Sequence, residues 1–448
     1  MVLVPGRVAR PLLACQRVSM SRALIVSALL LAGCPSDGPL DLADDPVAYI
    51  ADAPYRRAIL ERDLTTLDNR YADKRLDNYG LGTSGWDALP ALDRPSRPLT
   101  QADLDAALAG DDLVAGDALT TLVPASLPET EEEWIALGRR VFFEYPLRAD
   151  ATYAALLEIP GALDDTGWLR DPDGAVVGLR VFEHEDGSTR VGNTCAQCHA
   201  SYGGRGEPEL DGVLSNRAMN VGAARLLVMG LTPGELPPEL ESTSTGDLDR
   251  LGPGRGDVLS DGEFNPYAFP DFGGLGQLPY LHHNANWHHR QTATLAVRCE
   301  TLFITASGER ARIPRVLSWA LAVWQRSLPA PAPLESPSPD AARGEEVFAE
   351  ASCDTCHVPP LYTSDLEIDV ESIGTDPSAG LSPVRWSGHY RIPSLRGVGR
   401  TAPYLHDGAF ESLEAMFSDK RSPDAGHRHG LDLSDADRAA LLAFLRSI

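Results

Sequence analysis

The chain has 448 residues, of which 43% are hydrophobic and 23% charged, and its formal net charge is -25 at pH 7. The length allows two or three domains with cores of their own, and the composition excludes a disordered or collagen-like chain. The acidity argues against nucleic acid or an anionic membrane surface as a partner, since both would repel the protein. It fits a basic protein partner, although solubility alone is an equally open explanation.

The first 34 residues have the pattern of an export signal. A basic segment precedes the apolar run 23–33, which is too short for a mature transmembrane helix and ends with small residues before Cys34. The ending LAGC resembles the lipobox of bacterial lipoproteins, in which the Cys is acylated; a secretory signal without a lipid is the alternative. Met20 gives a more compact signal than Met1. We expect the protein on the periplasmic side of the envelope, attached by this lipid alone and by default to the outer membrane.

Residues 35–130 are expected to form a tether and a helical extension. The polar, Pro- and Asp-rich segment to about residue 47 is typical of a tether. Helical patterns follow at 54–67 and 100–109, with Thr100 as the N-cap and Asp103 three residues later. No chemical motif occurs in this part, so we interpret it as an extension that packs against the domains after it.

The sequence CAQCH at 195–199 is repeated as CDTCH at 353–357. Two cysteines separated by two residues, with His directly after them, are the attachment signature of c-type haem: the thiols add to the haem vinyl groups and the imidazole becomes the proximal iron ligand. The residues predicted to hold two covalent haem c groups are Cys195, Cys198, His199, Cys353, Cys356 and His357. A redox dithiol or half of a zinc site is the alternative. A dithiol does not require the His, however, and a zinc ribbon pairs two such motifs over a much shorter separation.

Each motif lies within one copy of a duplicated segment. Four further blocks surround each motif in the same order: 137–142, 270–276, 279–282 and 319–328 in the first copy, and 343–348, 393–399, 403–406 and 439–448 in the second. Such self-similarity indicates two cytochrome c-like units. Each unit is predicted to have an opening helix, the haem motif, a loop rich in Pro and Gly, and an amphipathic closing helix.

The domain boundaries follow from this duplication. A stiff Pro-rich connector at 329–340 separates a first domain, 131–328, from a second, 341–448. The first domain carries insertions, among them an alternating stretch near 176–182 that fits a hairpin. The predicted fold is therefore mainly α: two tandem cytochrome c-like domains with long loops, preceded by a signal peptide and a helical N-terminal extension.

The segment 390–413, YRIPSLRGVGRTAPYLHDGAFESL, resembles the C-terminal signature of the bacterial di-haem cytochrome c peroxidase superfamily. That superfamily also includes the di-haem enzymes that mature methylamine dehydrogenase. The resemblance covers both haem motifs, is most specific in the second domain and is absent before about residue 130. It implies a periplasmic protein in which one haem takes electrons from a small redox protein and the other keeps an open iron face for hydrogen peroxide.

The chain departs from the family at two places. Where the family carries a Met or Tyr ligand for the second haem iron, this sequence has Lys420, with Met416 one turn earlier. No Glu of the first domain matches the family's peroxidatic acid. We therefore expect single-electron transfer in the cell envelope. Peroxide reduction at the first-domain haem, or a related reaction on an organic or protein substrate, is the alternative.

The sixth iron ligand decides between these functions, because a second strong ligand leaves only electron transfer. In the second domain the candidates are Met416, His406, His427 and His429. Met416 is preferred, since thioether ligation raises the potential as a haem facing an electron donor requires. A core Met is the alternative interpretation.

Four histidines cluster in the first domain. His282 occupies the repeat position of His406, which indicates a structural or propionate-side role. The candidates to cap the iron or to act as acid and base are His283, His288 and His289. Hydrogen-bonded or exposed loop histidines are the alternative. Met219 and Met229 are further candidates, with Met229 expected in the core.

Three acidic residues of a Gly-rich loop are candidate ligands for the calcium that the family often binds between its domains: Asp257, Asp261 and Glu263. Their spacing fits no defined calcium loop, so a solvated turn is the alternative. Cys299 is expected to be a small buried hydrophobe without a chemical role.

Overall fold

The computed structural model describes residues 42–259, 261–308 and 310–448. The predicted signal peptide, its acylated Cys34 and most of the tether lie outside these residues. Contacts join the described residues into one unit, and the division into two domains stays a prediction. No helix of the described ranges is both long and apolar enough to cross a bilayer.

Helices carry most of the regular structure, with 39% of the described residues helical and 11% in strands. The helices up to residue 328 are α1 (Pro46–Ala51), α2 (Ala53–Asp63), α3 (Arg70–Leu76), α4 (Gln101–Ala109), α5 (Glu131–Glu144), α6 (Ala151–Leu156), α7 (Ala162–Asp165), α8 (Ala196–His199), α9 (Val221–Val228), α10 (Ser244–Leu251), α11 (Thr292–Ala306) and α12 (Arg315–Ser327). Those after it are α13 (Pro339–Glu350), α14 (Val370–Ile373), α15 (Ser378–Leu381), α16 (Leu413–Met416) and α17 (Asp435–Ser447).

The strands make the fold mixed rather than mainly α, which corrects the predicted class. They are β1 (Ser96–Pro98), β2 (Arg148–Ala149), β3 (Leu179–Glu183), β4 (Thr189–Asn193), β5 (Ser201–Tyr202), β6 (Leu210–Asp211), β7 (Arg255–Asp257), β8 (Pro266–Ala268), β9 (Tyr280–Leu281), β10 (Trp287–His288), β11 (Glu367–Asp369) and β12 (His389–Arg391). One antiparallel sheet has the order β1-β3-β4-β2, and the others are two-stranded. Its central pair confirms the predicted hairpin, with Val181 opposite Val191. Strands β1 and β2 escape sequence reasoning because they are short and pair with distant segments.

The N-terminal extension packs onto the first half of the duplication, as predicted. Tyr49, Tyr55 and Ile59 are buried in the same hydrophobic cluster as Trp319 and Trp324. Packing of these apolar side chains supplies most of the stability of such short helices. The extension is therefore part of the core that supports the first haem motif.

Two local predictions in the extension can be compared with the structure. The Thr100 side chain accepts the N–H of Asp103, whose carboxylate accepts the Thr100 N–H at 2.8 Å, which confirms the predicted N-cap of α4. The helix predicted at 54–67 ends earlier, at the end of α2. It stops because the backbone of Leu64 pairs with that of Trp287 in an antiparallel bridge.

In each copy of the duplication, the opening helix crosses the closing helix in an equivalent way. Helix α5 packs on α12, and α13 packs on α17 in the same way. A Cβ atom on Gly138 would lie 2.0 Å from the carbonyl oxygen of Ala320, and one on Gly344 would lie 2.0 Å from that of Ala440. Only glycine permits so close an approach, and these two pairs are equivalent in the block alignment. The opening and closing helices of both copies are confirmed.

Candidate haem sites

The two predicted haem motifs lie in short helical turns. The first follows β4 and continues in α8, and the second follows α13 as a 3-10 turn. Burial raises the pKa of Cys195 and Cys198 to about 12 and that of Cys353 to about 11, and none of the motif thiols is in a disulfide. A redox dithiol depends on a thiol pKa lowered toward neutrality. These surroundings therefore favour haem attachment over the dithiol alternative.

Both motif histidines are oriented by a backbone carbonyl. The Nδ1 of His199 lies 3.0 Å from the carbonyl oxygen of Pro270, and the Nδ1 of His357 lies 3.0 Å from that of Tyr362. A carbonyl oxygen only accepts, so Nδ1 carries the proton and Nε2 is left as the lone-pair nitrogen. This is the arrangement in which an imidazole binds a metal through Nε2.

The surroundings of each ring keep it neutral. Burial lowers the pKa of His199 to about 4, and it also lowers the pKa of His357. Phe272 stacks on His199 with ring centres 4.5 Å apart. An unprotonated ring held in one orientation is what iron ligation requires.

A set of buried polar atoms without hydrogen-bond partners lies where the first half meets residues 385–391. We call it the unpaired cluster; within the described residues it comprises Tyr267 Oη, His283 Nε2, Trp287 Nε1, Arg385 Nε and Arg391 Nε. The rings of Tyr267 and His283 are 5.8 Å apart, and the Arg391 N–H donates to the His283 carbonyl at 2.9 Å. Buried polar groups are normally paired, so each such atom indicates a missing neighbour.

The buried arginines in and near the unpaired cluster indicate whether haem would fit there. Burial lowers the pKa of three such arginines. The pKa of Arg385 is lowered, that of Arg391 falls to about 10, and that of the nearby Arg75 falls to about 9. No carboxylate of the described chain is among the main influences on the pKa of these three arginines. A buried cation without a counter-ion is strongly unfavourable, so an anion is expected here. Haem carries two propionate carboxylates, and these arginines would hold them.

His282 is fully engaged by its neighbours. Its Nδ1 lies 2.6 Å from the Asn286 Oδ1, and the Arg298 Nε donates to its Nε2 at 2.6 Å. The equivalent His406 stacks on Tyr390 with ring centres 4.6 Å apart. These contacts agree with the structural role expected for both residues.

The three remaining histidines of the first cluster differ in what they contact. The Nε2 of His289 accepts from Arg326 at 2.8 Å, whereas its buried Nδ1 has no hydrogen-bond partner. His288 is half-buried and stacks on Tyr280. The Nε2 of His283 is also without a partner, and it belongs to the unpaired cluster. Burial places its pKa well below the usual range, so the ring is neutral.

The methionine candidates are placed as follows. Met219 is fully buried in the cluster that contains Trp168, whereas Met229, expected in the core, is 55% exposed because it follows the end of α9. Met416 packs against the core of the second half. In that half the ring of His427 lies 6.4 Å from the ring of His357, centre to centre.

The loop with the calcium candidates uses its carboxylates locally. Asp261 accepts from Ser382 Oγ at 2.6 Å and from Asn265 Nδ2 at 3.1 Å, and the Asp257 carboxylate accepts backbone N–H groups. Glu263 is exposed. No group of three or more potential metal ligands is found among the described residues. The loop thus agrees with the solvated-turn alternative, and calcium stays a prediction. Cys299 is buried, as expected, and contacts Gln325.

Sequence reasoning missed the arginines and Tyr267 of the unpaired cluster. Arg391 lies inside the segment that carries the family resemblance and Arg385 just before it. Unlike the haem motifs, neither has a spacing that signals chemistry. Their role becomes visible only when the fold buries them without a carboxylate.

Comparisons with known proteins give two curated relatives, and no family model matches the chain. The methylamine utilization protein MauG of Methylorubrum extorquens is 30% identical over 123 residues, which cover 24% of this chain and 34% of the relative. The protein of the same name from Methylophilus methylotrophus is 29% identical over 170 residues, which cover 33% of this chain and 50% of the relative. The chain thus spans between a third and a half of the length of these relatives.

Solved structures also align with most of the chain. Hydrazine synthase of Kuenenia stuttgartiensis aligns with a TM-score of 0.39 and 13% identity, covering 79% of this chain and 93% of the other. The diheme peroxidase BthA of Burkholderia thailandensis aligns with a TM-score of 0.34 and 16% identity, covering 80% and 94%. A MauG-like protein associated with microbial copper homeostasis aligns with a TM-score of 0.36 and 18% identity, covering 72% and 90%.

Proposed function

We propose that this chain, which belongs to the bacterial di-haem cytochrome c peroxidase-like superfamily, passes single electrons between two covalently held haems and reduces hydrogen peroxide at the first of them. The observation that carries the proposal is the shared orientation of His199 and His357, each with Nδ1 on a carbonyl and Nε2 left for iron. The MauG relatives support a di-haem oxidoreductase or peroxidase-like function. The choice of peroxide as substrate is our own inference.

The first haem is proposed as the reactive one because the two proximal histidines have different surroundings. Within the described residues, the rings next to His199 are Phe269 and Phe272, which flank the Pro270 that orients it. They are therefore on the proximal side. The ring of His357 has another imidazole nearby. An iron face without a protein ligand is what peroxide chemistry needs.

His283 is proposed as the acid and base of this reaction. Haem supplies the electrons and the iron face to which peroxide binds. With haem bound, the neutral Nε2 of His283 would accept a proton from hydrogen peroxide and return it to the oxygen that departs as water. The full reduction of hydrogen peroxide to two waters consumes two electrons from the redox partner and two protons from solvent. The ring of His283 lies 5.8 Å from that of Tyr267, three residues before the Pro270 whose carbonyl orients His199.

Electron transfer alone is the second candidate function. It is favoured by the first domain's lack of a Glu that matches the peroxidatic acid of the family. Under this alternative both irons have two strong ligands and neither reacts with peroxide. The alternative shares every haem-attachment residue with the first proposal, so the two differ only at the first iron.

Location and partner are further parts of the proposal. The leader pattern supports export and lipid attachment at Cys34, on the periplasmic side and by default at the outer membrane. The net charge of -25 supports a small basic redox protein as electron donor or acceptor, because opposite charge speeds encounter. If so, the rate of electron exchange with such a protein will fall steeply as salt is raised.

The experiment that tests the function is electron paramagnetic resonance of the purified ferric holoprotein, followed by peroxide turnover with a reduced small cytochrome. We expect one high-spin haem per chain and turnover that depends on it. Two low-spin haems that are inert to peroxide would eliminate the enzyme and leave the carrier.

A further inference from the structure

The distance between the ring centres of His357 and His427 can be compared with the distances expected for two bonding arrangements. Their ring centres are 6.4 Å apart and their planes are inclined at 45°. An imidazole nitrogen binds a metal at about 2.0 Å and lies a little over 1 Å from its ring centre, so two imidazoles on opposite faces of one metal have centres about 6.3 Å apart. Two imidazoles joined by an N–H···N hydrogen bond of about 2.9 Å would have centres only about 5.2 Å apart. The observed distance is close to the first of these values, so it leaves room for a metal between the rings.

The loop that carries His427 is held in place by Arg421. The guanidinium of Arg421 donates to the carbonyl oxygen of Met416, at the end of α16, and to that of His427 itself. One side chain thus ties both ends of the loop. The adjacent Gly426 has a φ of 150° and leaves no room for a Cβ atom, which would come within 2.7 Å of the Phe410 ring. The position of His427 is therefore fixed by its own segment.

The ring of His427 is available as a ligand. Its buried Nδ1 has no hydrogen-bond partner. No side chain of the described chain is hydrogen-bonded to either ring nitrogen. An imidazole of this kind, close to a proximal histidine, is suited to serve as a second ligand of the same metal.

The other candidates for this position are engaged or directed elsewhere. His406 stacks on Tyr390, with its ring nitrogens 3.4 Å from the hydroxyls of Tyr390 and Thr375. Met416 packs against the core of the second half. The ring of His429 lies 5.2 Å from that of His427, but His429 is exposed and lines a cavity of about 600 Å³.

We infer that His427 is the sixth ligand of the second haem iron, opposite His357, in place of the expected Met416. The inference rests on the proposed di-haem function and deepens it. Two imidazoles leave the second iron no open face, so that haem only relays electrons. Without a thioether its potential is lower than Met ligation would give. Peroxide is then confined to the first haem.

The test compares the ferric holoprotein with His427→Ala and with the matched control Met416→Leu, in spin quantitation by electron paramagnetic resonance. We expect His427→Ala to gain one high-spin haem per chain over the unmodified protein, and added imidazole to reverse the gain. Met416→Leu should gain none. Reversal by imidazole also shows that the variant is folded and carries its haem.

Near-infrared magnetic circular dichroism of the unmodified protein gives a second readout, because it separates imidazole from thioether ligation. We expect two-imidazole ligation at one haem. A thioether signal, or a high-spin gain in Met416→Leu instead of His427→Ala, would overturn the inference. The number of high-spin haems in the unmodified protein tests the proposed function separately, since the gain caused by His427→Ala does not depend on that number.

Discussion

Gly344 in α13 lies against the carbonyl oxygen of Ala440 in α17, where a Cβ atom would come within 2.0 Å. Gly138 and Ala320 have the same relationship in the first copy. Each opening helix can therefore approach its closing helix this closely only because glycine has no Cβ atom. In the second copy the haem motif directly follows the opening helix, so this crossing also positions that motif.

We predict that Gly344→Ala destabilises the protein. The added methyl group must push α13 from α17, and overpacking of this kind costs about 1 to 3 kcal/mol. The measurement is the free energy of unfolding from denaturant titration. Ala342→Ser, on the exposed face of the same helix, is the control and should change stability by less than about 0.5 kcal/mol. Equal stability of Gly344→Ala and the unmodified protein would show that the helices do not cross so closely.

His283→Gln should lower peroxide turnover by on the order of 100-fold, the usual contribution of a positioned acid and base. The loss should appear in kcat with little change in KM, because proton transfer is needed in the reaction and not in binding. His288→Gln is the matched control, since that ring is half-buried and stacks on Tyr280. A kcat unchanged by His283→Gln would remove this residue from the reaction.

Arg391→Met tests the assignment of the unpaired cluster to the haem propionates. A buried positive charge beside a haem destabilises the ferric state more than the less positive reduced state. Removal of that charge therefore favours the ferric state, and the reduction potential should fall. We expect a fall on the order of 60 mV, which corresponds to a tenfold change for one electron. Potentiometric titration measures it. Arg140→Met removes an exposed surface charge paired with Glu144 and should leave both potentials in place; an unchanged potential in Arg391→Met would contradict the assignment.

The stability of the protein should fall as pH is lowered from about 6.5 toward 4. His289 is buried beside Arg326, and burial lowers its pKa to about 3. Its unfolded pKa is about 6.5, so in this window the unfolded chain binds a proton that the folded chain does not, at a cost of about 1.4 kcal/mol per pH unit. Denaturant titrations at several pH values measure the slope. His289→Gln should reduce the slope of the unfolding free energy against pH by about 1.4 kcal/mol per pH unit. A slope identical to that of the unmodified protein would show that this ring is protonated in the folded protein.

The sequence was most informative where chemistry is local. The spacing of Cys195, Cys198 and His199 is a complete signature within one turn, and the capping pair of Thr100 and Asp103 spans three residues. The duplication also placed Gly138 and Gly344 at equivalent positions. That alignment predicted an opening and a closing helix in each copy.

Long-range placement could not be derived in the same way. Nothing in the sequence near His427 sets its distance from His357, which depends on how the loop after α16 returns over the haem motif. The sequence favoured Met416 instead, because a helix pattern does not tell a core methionine from a ligand. The unpaired state of Arg385 and Arg391 likewise arises from burial between distant segments, as does the pairing of β1 with β3.

The central claim is that each of the two motifs holds one covalent haem. Mass spectrometry of the denatured protein, produced with a cytochrome c maturation system, tests it most directly. The account predicts a mass increased by two haems, and by one haem when Cys353 and Cys356 are both replaced by Ser. A polypeptide mass without any haem, from cells that mature other c-type cytochromes, would contradict it.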